Sequence, residues 1–143
     1  MKESQFWSTI VKPQLSSFGV LHRIENTVES GTPDVTYSLR HPAKPRNVSG
    51  WIELKVTKRP VRQETIVRFK RFTVEQAEWL REWSAVGSSA WLLTMIGPYF
   101  TLIDGRHCPR VQAGVTLREF QELSSVIGSN RFPTGRILDC LTR

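Results

Sequence analysis

Hydrophobic and polar positions change period several times along the 143 residues. Over residues 4–18, SQFWSTIVKPQLSSF, the apolar Phe6, Trp7, Ile10 and Val11 recur at helical spacing behind Ser4 as a cap, which predicts an amphipathic helix bent or shortened by Pro13. Residues 19–28 switch to alternation, with Val20, His22 and Ile24 against Leu21, Arg23 and Glu25. DVTYSL (34–39) and SGWIELKV (49–56) are rich in β-branched and aromatic residues, so three successive strands are expected. The connection RHPAKPRNVS between them has two prolines and several basic residues, which is loop chemistry within reach of a phosphate backbone. FTVEQAEWLREWSAVG (72–87) then opens with Thr73 and places Gln76 three residues later, a capping box, and stops at Gly87. SSAWLLTMIG and PYFTLIDG read as two strands joined at Gly97 and Pro98, TLREFQELSSVIG as a helix boxed by Thr116 and Glu119, and PTGRILDCL as a final turn or two. With no repeat or linker, the order of elements predicts one α/β domain over 1–143, a mixed sheet flanked by helices.

Composition narrows the class. At 39% hydrophobic the chain can bury a real core, and it has neither a long uninterrupted apolar run nor an apolar leader, so it is expected to be soluble, cytoplasmic and without a membrane partner. Cys108 and Cys140 form no CxxC pair, and His22, His41 and His107 are scattered, which speaks against a zinc cluster or a disulfide framework. Twenty Lys and Arg against 13 Asp and Glu leave a net charge of +7, favouring a polyanionic partner such as nucleic acid.

Charged residues in the second and third strands supply the candidate chemistry. In a strand, residues two apart share a face, so Glu53 and Lys55 stand side by side while Ile52, Leu54 and Val56 face the core. Asp34 opens the preceding strand, and if the two strands pair, it approaches Glu53. Two carboxylates held together repel unless a proton or a cation intervenes, and a hard divalent ion such as Mg²⁺, with Mn²⁺ as substitute, suits them. Lys55 would lie beside a metal-bound water, placed to offset charge on a phosphoryl group. Ser30 and Gly31 either bring the backbone close to a phosphate or only make the turn before Pro33. Downstream, Lys58, Arg59, Arg62, Arg68, Lys70 and Arg71 stand against the single acid Glu64, a surface suited to tracking a phosphate backbone. Trp51 and Trp91 read as core rather than as base-stacking platforms.

Pro33-Asp34 followed by Glu53-Leu54-Lys55 resembles the signature of the PD-(D/E)XK nuclease superfamily, nearest to its small Holliday junction resolvase and VRR-type members. The likeness covers roughly residues 3–97 and leaves the C-terminal third unmatched. It implies a restriction-endonuclease-like sheet in which Asp34, Glu53 and the backbone carbonyl of Leu54 hold Mg²⁺ or Mn²⁺ and Lys55 assists hydrolysis. It also implies an acid on the first helix, for which Glu3 is the candidate, and a site-lining Gln on the later helix, where Gln76 stands although its capping box explains it equally. The expected function is thus a metal-dependent DNA endonuclease acting on branched DNA, as a homodimer suited to the two symmetric cuts of a four-way junction. The alternative is a non-catalytic DNA-binding or recombination accessory protein on the same scaffold, against which the intact Asp, Glu and Lys argue. An RNA-binding or structural role rests on charge alone.

Overall fold

The computed structural model describes residues 1–25 and 30–143. Its strands are β1 (Gly19–Arg23), β2 (Val35–Leu39), β3 (Val48–Thr57), β4 (Ile66–Val67), β5 (Ser89–Ile96), β6 (Tyr99–Asp104), β7 (Val115–Thr116) and β8 (Val126–Ser129). Among the described residues, six of them form one mixed sheet in the order β1-β2-β3-β5-β6-β8, and β4 pairs with β7 apart from it. Neighbours in the large sheet are antiparallel except β3 and β5, which run parallel because the chain between them crosses over through the helix α3 (Val74–Ala85).

Helices cover both faces. On one lie α1 (Glu3–Phe6), a π turn (Trp7–Val11), α2 (Lys12–Leu15) and the C-terminal α6 (Thr134–Leu141), burying Phe6, Val11, Leu15 and Ile137 against Ile52, Leu54 and Leu93. On the other, α3, α4 (Cys108–Ala113) and α5 (Leu117–Leu123) bury Leu80, Val111 and Phe120 against Leu92 and Ile103. The mixed sheet flanked by helices is therefore the α/β arrangement the sequence predicts. Covering both faces closes β3 more fully than its alternation implies: Glu53 is 0% exposed and Lys55 2%. Gly50 of the same strand stands where a β-carbon would meet the Tyr37 hydroxyl at 2.5 Å, and that hydroxyl donates to the Leu141 carbonyl, fastening α6 to the sheet.

Several boundaries differ from expectation. The first helix is interrupted: the Lys12 N–H reaches back to the Trp7 carbonyl in a wide turn, and Pro13, having no N–H to give, sits in the opening turn of α2. The strand expected over 19–28 ends at Arg23, and its residues 26–28 lie outside the described residues. The helix expected to continue to Gly128 stops at Leu123, where the Ser124 hydroxyl turns back onto the Phe120 carbonyl, and Val126–Ser129 joins the sheet as β8 beside β6. The 40–47 loop is tied to the C-terminal helix rather than left free, through His41 and Asp139 at 2.9 Å and the Lys44 ammonium on the Thr142 carbonyl. Trp91 is core as expected, whereas Trp51 is half-buried in a lateral cluster with Trp79 and Trp83, because α3 lays its own aromatic residues over the end of β3. Both cysteines are free thiols. No helix among the described residues is long and apolar enough to cross a membrane.

Candidate active site

The β2–β3 register, with Val35 opposite Ile52, puts Asp34 opposite Glu53 just beyond the last paired residues. Asp34 is fixed there by accepting the Leu54 N–H at 2.9 Å, and its own carbonyl accepts the Ile24 N–H. In a strand the N–H and C=O of one residue point to the same side, so the Leu54 carbonyl also faces the space where β2 has ended. Pairing thus gathers a carboxylate, a second carboxylate and a carbonyl around one point, using residues twenty apart in sequence.

Lys55 is the hub of the cluster. Its ammonium lies 3.2 Å from a Glu53 oxygen and 3.8 Å from Glu3, donates to the Arg71 carbonyl at 3.1 Å, and sits 5.7 Å from the centre of the Phe72 ring. Although Lys55 is close, neither buried Glu53 oxygen has a hydrogen-bond partner. Burial, then the charge of Asp34, push the Glu53 carboxyl up to about 9, and the Lys55 ammonium offsets only part of this. Glu3 is also raised, by burial first, with Lys55 pulling the other way and Asp34 adding to the rise. A buried acid with two orphaned oxygens beside a second acid is an arrangement that a proton or a cation must relieve.

Among the described residues no three His, Cys, Asp or Glu side chains gather at metal-ligating spacing. A cation here would rest on two carboxylates and a backbone carbonyl, with water completing its shell, which suits Mg²⁺ better than zinc. The orphaned Glu53 oxygens and the direction of the Leu54 carbonyl fit such an ion.

A cleft of about 930 Å³ adjoins the cluster, lined by Glu3 together with Lys2, Arg23, Lys58, Lys70 and Arg71. Lys58 and Lys70 thus face the site as the basic segment suggested. Its other cations diverge: Arg59 packs over the Tyr99 ring at 4.8 Å, and Arg62 and Arg68 are exposed outside the cleft lining. Lys2 and Arg23 were not legible as site residues, since neither belongs to a basic run and only the packing of α1 against β3 and the pairing of β1 with β2 bring them in. A smaller cavity of about 210 Å³, between Ser84, Ser89, Asp104 and Arg143, touches none of these groups.

Two further expected residues have local duties. The Gln76 amide oxygen accepts the Thr73 N–H at 3.0 Å while the Thr73 hydroxyl accepts the Gln76 N–H, so this side chain is occupied in the α3 capping box, and among the described residues it makes no hydrogen bond to Glu53 or Lys55. Gly31, at φ 88°, packs so closely on α3 that a β-carbon would meet the Glu75 carbonyl at 2.5 Å; the close backbone approach it permits is to that helix. Ser30 beside it is exposed.

No protein-family model matches this sequence, and no curated protein does. Among solved structures it is similar to Hjc of Archaeoglobus fulgidus, a Holliday junction resolvase from an archaeal hyperthermophile, at a TM-score of 0.41 and 13% identity, over 77% of this chain and 96% of that one.

Proposed function

We propose that this chain is a divalent-metal-dependent endonuclease that hydrolyses DNA phosphodiester bonds, with branched DNA as its substrate class. The observation that carries the reading is the pairing of half-buried Asp34 with fully buried Glu53, whose unpartnered oxygens stand beside the Lys55 ammonium at the edge of a cation-lined cleft. Asp34, Glu53 and the Leu54 carbonyl would hold the ion, which when bound polarises a phosphoryl oxygen and supplies a nucleophile at neutral pH. The chain's own groups do the rest. The Leu54 N–H orients Asp34, so its other oxygen is presented to the ion. Lys55 offers positive charge where the phosphoryl oxygens become more negative in the transition state. Glu3, on the cleft wall, faces the same ammonium and keeps it from closing wholly onto Glu53. Lys2, Arg23, Lys58 and Lys70 neutralise flanking phosphates, an attraction that tracks the backbone and carries no base sequence. A four-way junction needs two symmetric cuts, so a pair of copies is the proposed working unit.

The test is cleavage of a panel of four-way junction, flap, duplex and single-stranded DNA with Mg²⁺ or Mn²⁺. Asp34→Asn, Glu53→Gln and Lys55→Ala are each expected to abolish cutting while DNA binding persists. Full activity in either acid variant would refute the site.

A further inference from the structure

Arg71 adopts φ 60°, and among the described residues it shares a left-handed backbone with only one other non-glycine, Asn130. A turn leading from β4 into α3 could be made more easily by glycine or asparagine. Instead the position carries a long cation whose carbonyl and side chain face two different things. The carbonyl receives the Lys55 ammonium at 3.1 Å, and the side chain lines the cleft. The adjoining Phe72 is buried with its ring under the same ammonium, and its own carbonyl accepts the Gln112 amide at 3.5 Å, so α4 steadies this short segment from behind.

We propose that Arg71 is a positioning residue for Lys55: its left-handed main chain fixes where the ammonium sits, independently of what its guanidinium does. This rests on the nuclease reading of the site for its consequence in catalysis, though not for the geometry itself. An ammonium has three N–H donors. One is spent on the Arg71 carbonyl, while the ammonium stands 3.2 Å from a Glu53 oxygen and 3.8 Å from Glu3 without a hydrogen bond to Glu53. Without the carbonyl it is free to close on either acid, covering the oxygens that a cation needs. A backbone conformation that costs free energy at a site, and that aims a carbonyl at the site's lysine, is strain with a local use.

The experiment is a series at one position: Arg71→Gly, Arg71→Ala and Arg71→Val. All three lack the guanidinium, and they tolerate a left-handed backbone in falling order. Two quantities are measured: the single-turnover cleavage rate at saturating DNA, and DNA affinity. A third readout needs no cleavage, namely the Lys55 ammonium signal in a proton–nitrogen correlation spectrum, visible when the group is held in slow exchange. Affinity is expected to fall by the same factor in all three. The rate and the ammonium signal are expected to be highest in Arg71→Gly and to decline through Ala to Val, by about tenfold or more across the series. Should Arg71→Val not fold, the Gly and Ala pair still orders the effect. Equal rates and equal ammonium signals throughout would overturn the proposal. A wild type that cuts no DNA would refute the nuclease reading while the ammonium signal still decides the positioning.

Discussion

Glu53 concentrates the physical tension of this molecule in one side chain. Fully buried on the central strand, it has Asp34 opposite and Lys55 beside it, and its carboxyl is pushed up to about 9 from 4.5. The folded chain therefore binds that proton more tightly than the unfolded chain does. The resulting stability is fully present below about pH 4.5 and is lost as pH rises through about 9. In the presence of a chelator, melting temperature is expected to fall with rising pH across this window, and Glu53→Gln is expected to flatten the dependence. An unchanged slope in the variant would assign the effect to other groups. The same residue sets what removing Lys55 does: the ammonium is the charge that pulls the Glu53 carboxyl down, so without it the acid keeps its proton to higher pH. Accordingly Lys55→Ala should extend upward the pH range over which the melting temperature holds, and adding Glu53→Gln should remove that dependence, with cutting lost in both.

At the scale of elements, β3 and α3 divide the work between chemistry and support. β3 carries Glu53, Leu54 and Lys55 in consecutive positions, and pairing with β2 delivers Asp34 to them. α3 begins beside this site, and its start is set by the reciprocal hydrogen bonds of Thr73 and Gln76. Loss of such a box typically costs about 1 kcal/mol, so Gln76→Ala is expected to lower stability by that order, and Gln76→Glu to restore it. Cleavage per folded molecule should be the same in all three proteins. A rate that drops in Gln76→Glu despite restored stability would return Gln76 to the active site. The first helix shows the converse: a short, interrupted element that nonetheless sets Glu3 3.8 Å from Lys55.

For the whole molecule the charge distribution matters more than the total. Of the basic segment after β3, Lys58 and Lys70 reach the cleft, while Arg59 lies on Tyr99. Neutralising Lys58 and Lys70 is expected to reduce the dependence of log affinity on log salt by about 0.9 for each duplex phosphate no longer neutralised, equally for unrelated sequences. The same change at Arg62 and Arg68 should do less, and a larger effect there would move the DNA track out of the cleft. Metal binding is also read on the whole fold. Only the folded chain holds Asp34 and Glu53 together, so Mg²⁺ or Mn²⁺ is expected to raise the melting temperature in a concentration-dependent way, weakly because Lys55 already opposes the ion. Asp34→Asn should abolish this response; an identical response would exclude Asp34 as a ligand.

By itself the sequence determined the local rules: the alternation that makes β3 a strand with Glu53 and Lys55 on one face, the Thr73 and Thr116 boxes, and the turn residues that end elements. These are properties of neighbouring residues, and they survive wherever the segment is placed. Pro33, Asp34, Glu53 and Lys55 were legible for that reason, as a strand start and an acid-x-Lys alternation. Tertiary structure decided what depends on distant partners. It brought Glu3 to 3.8 Å from Lys55, placed Lys2 and Arg23 on the cleft, turned the segment after Leu123 into a sheet strand, and gave Lys55 the carbonyl of Arg71. It also decided that Glu53 is wholly buried. Alternation shows that one face of a strand is apolar, but only the elements packed over the other face remove the water that would otherwise solvate both of its oxygens.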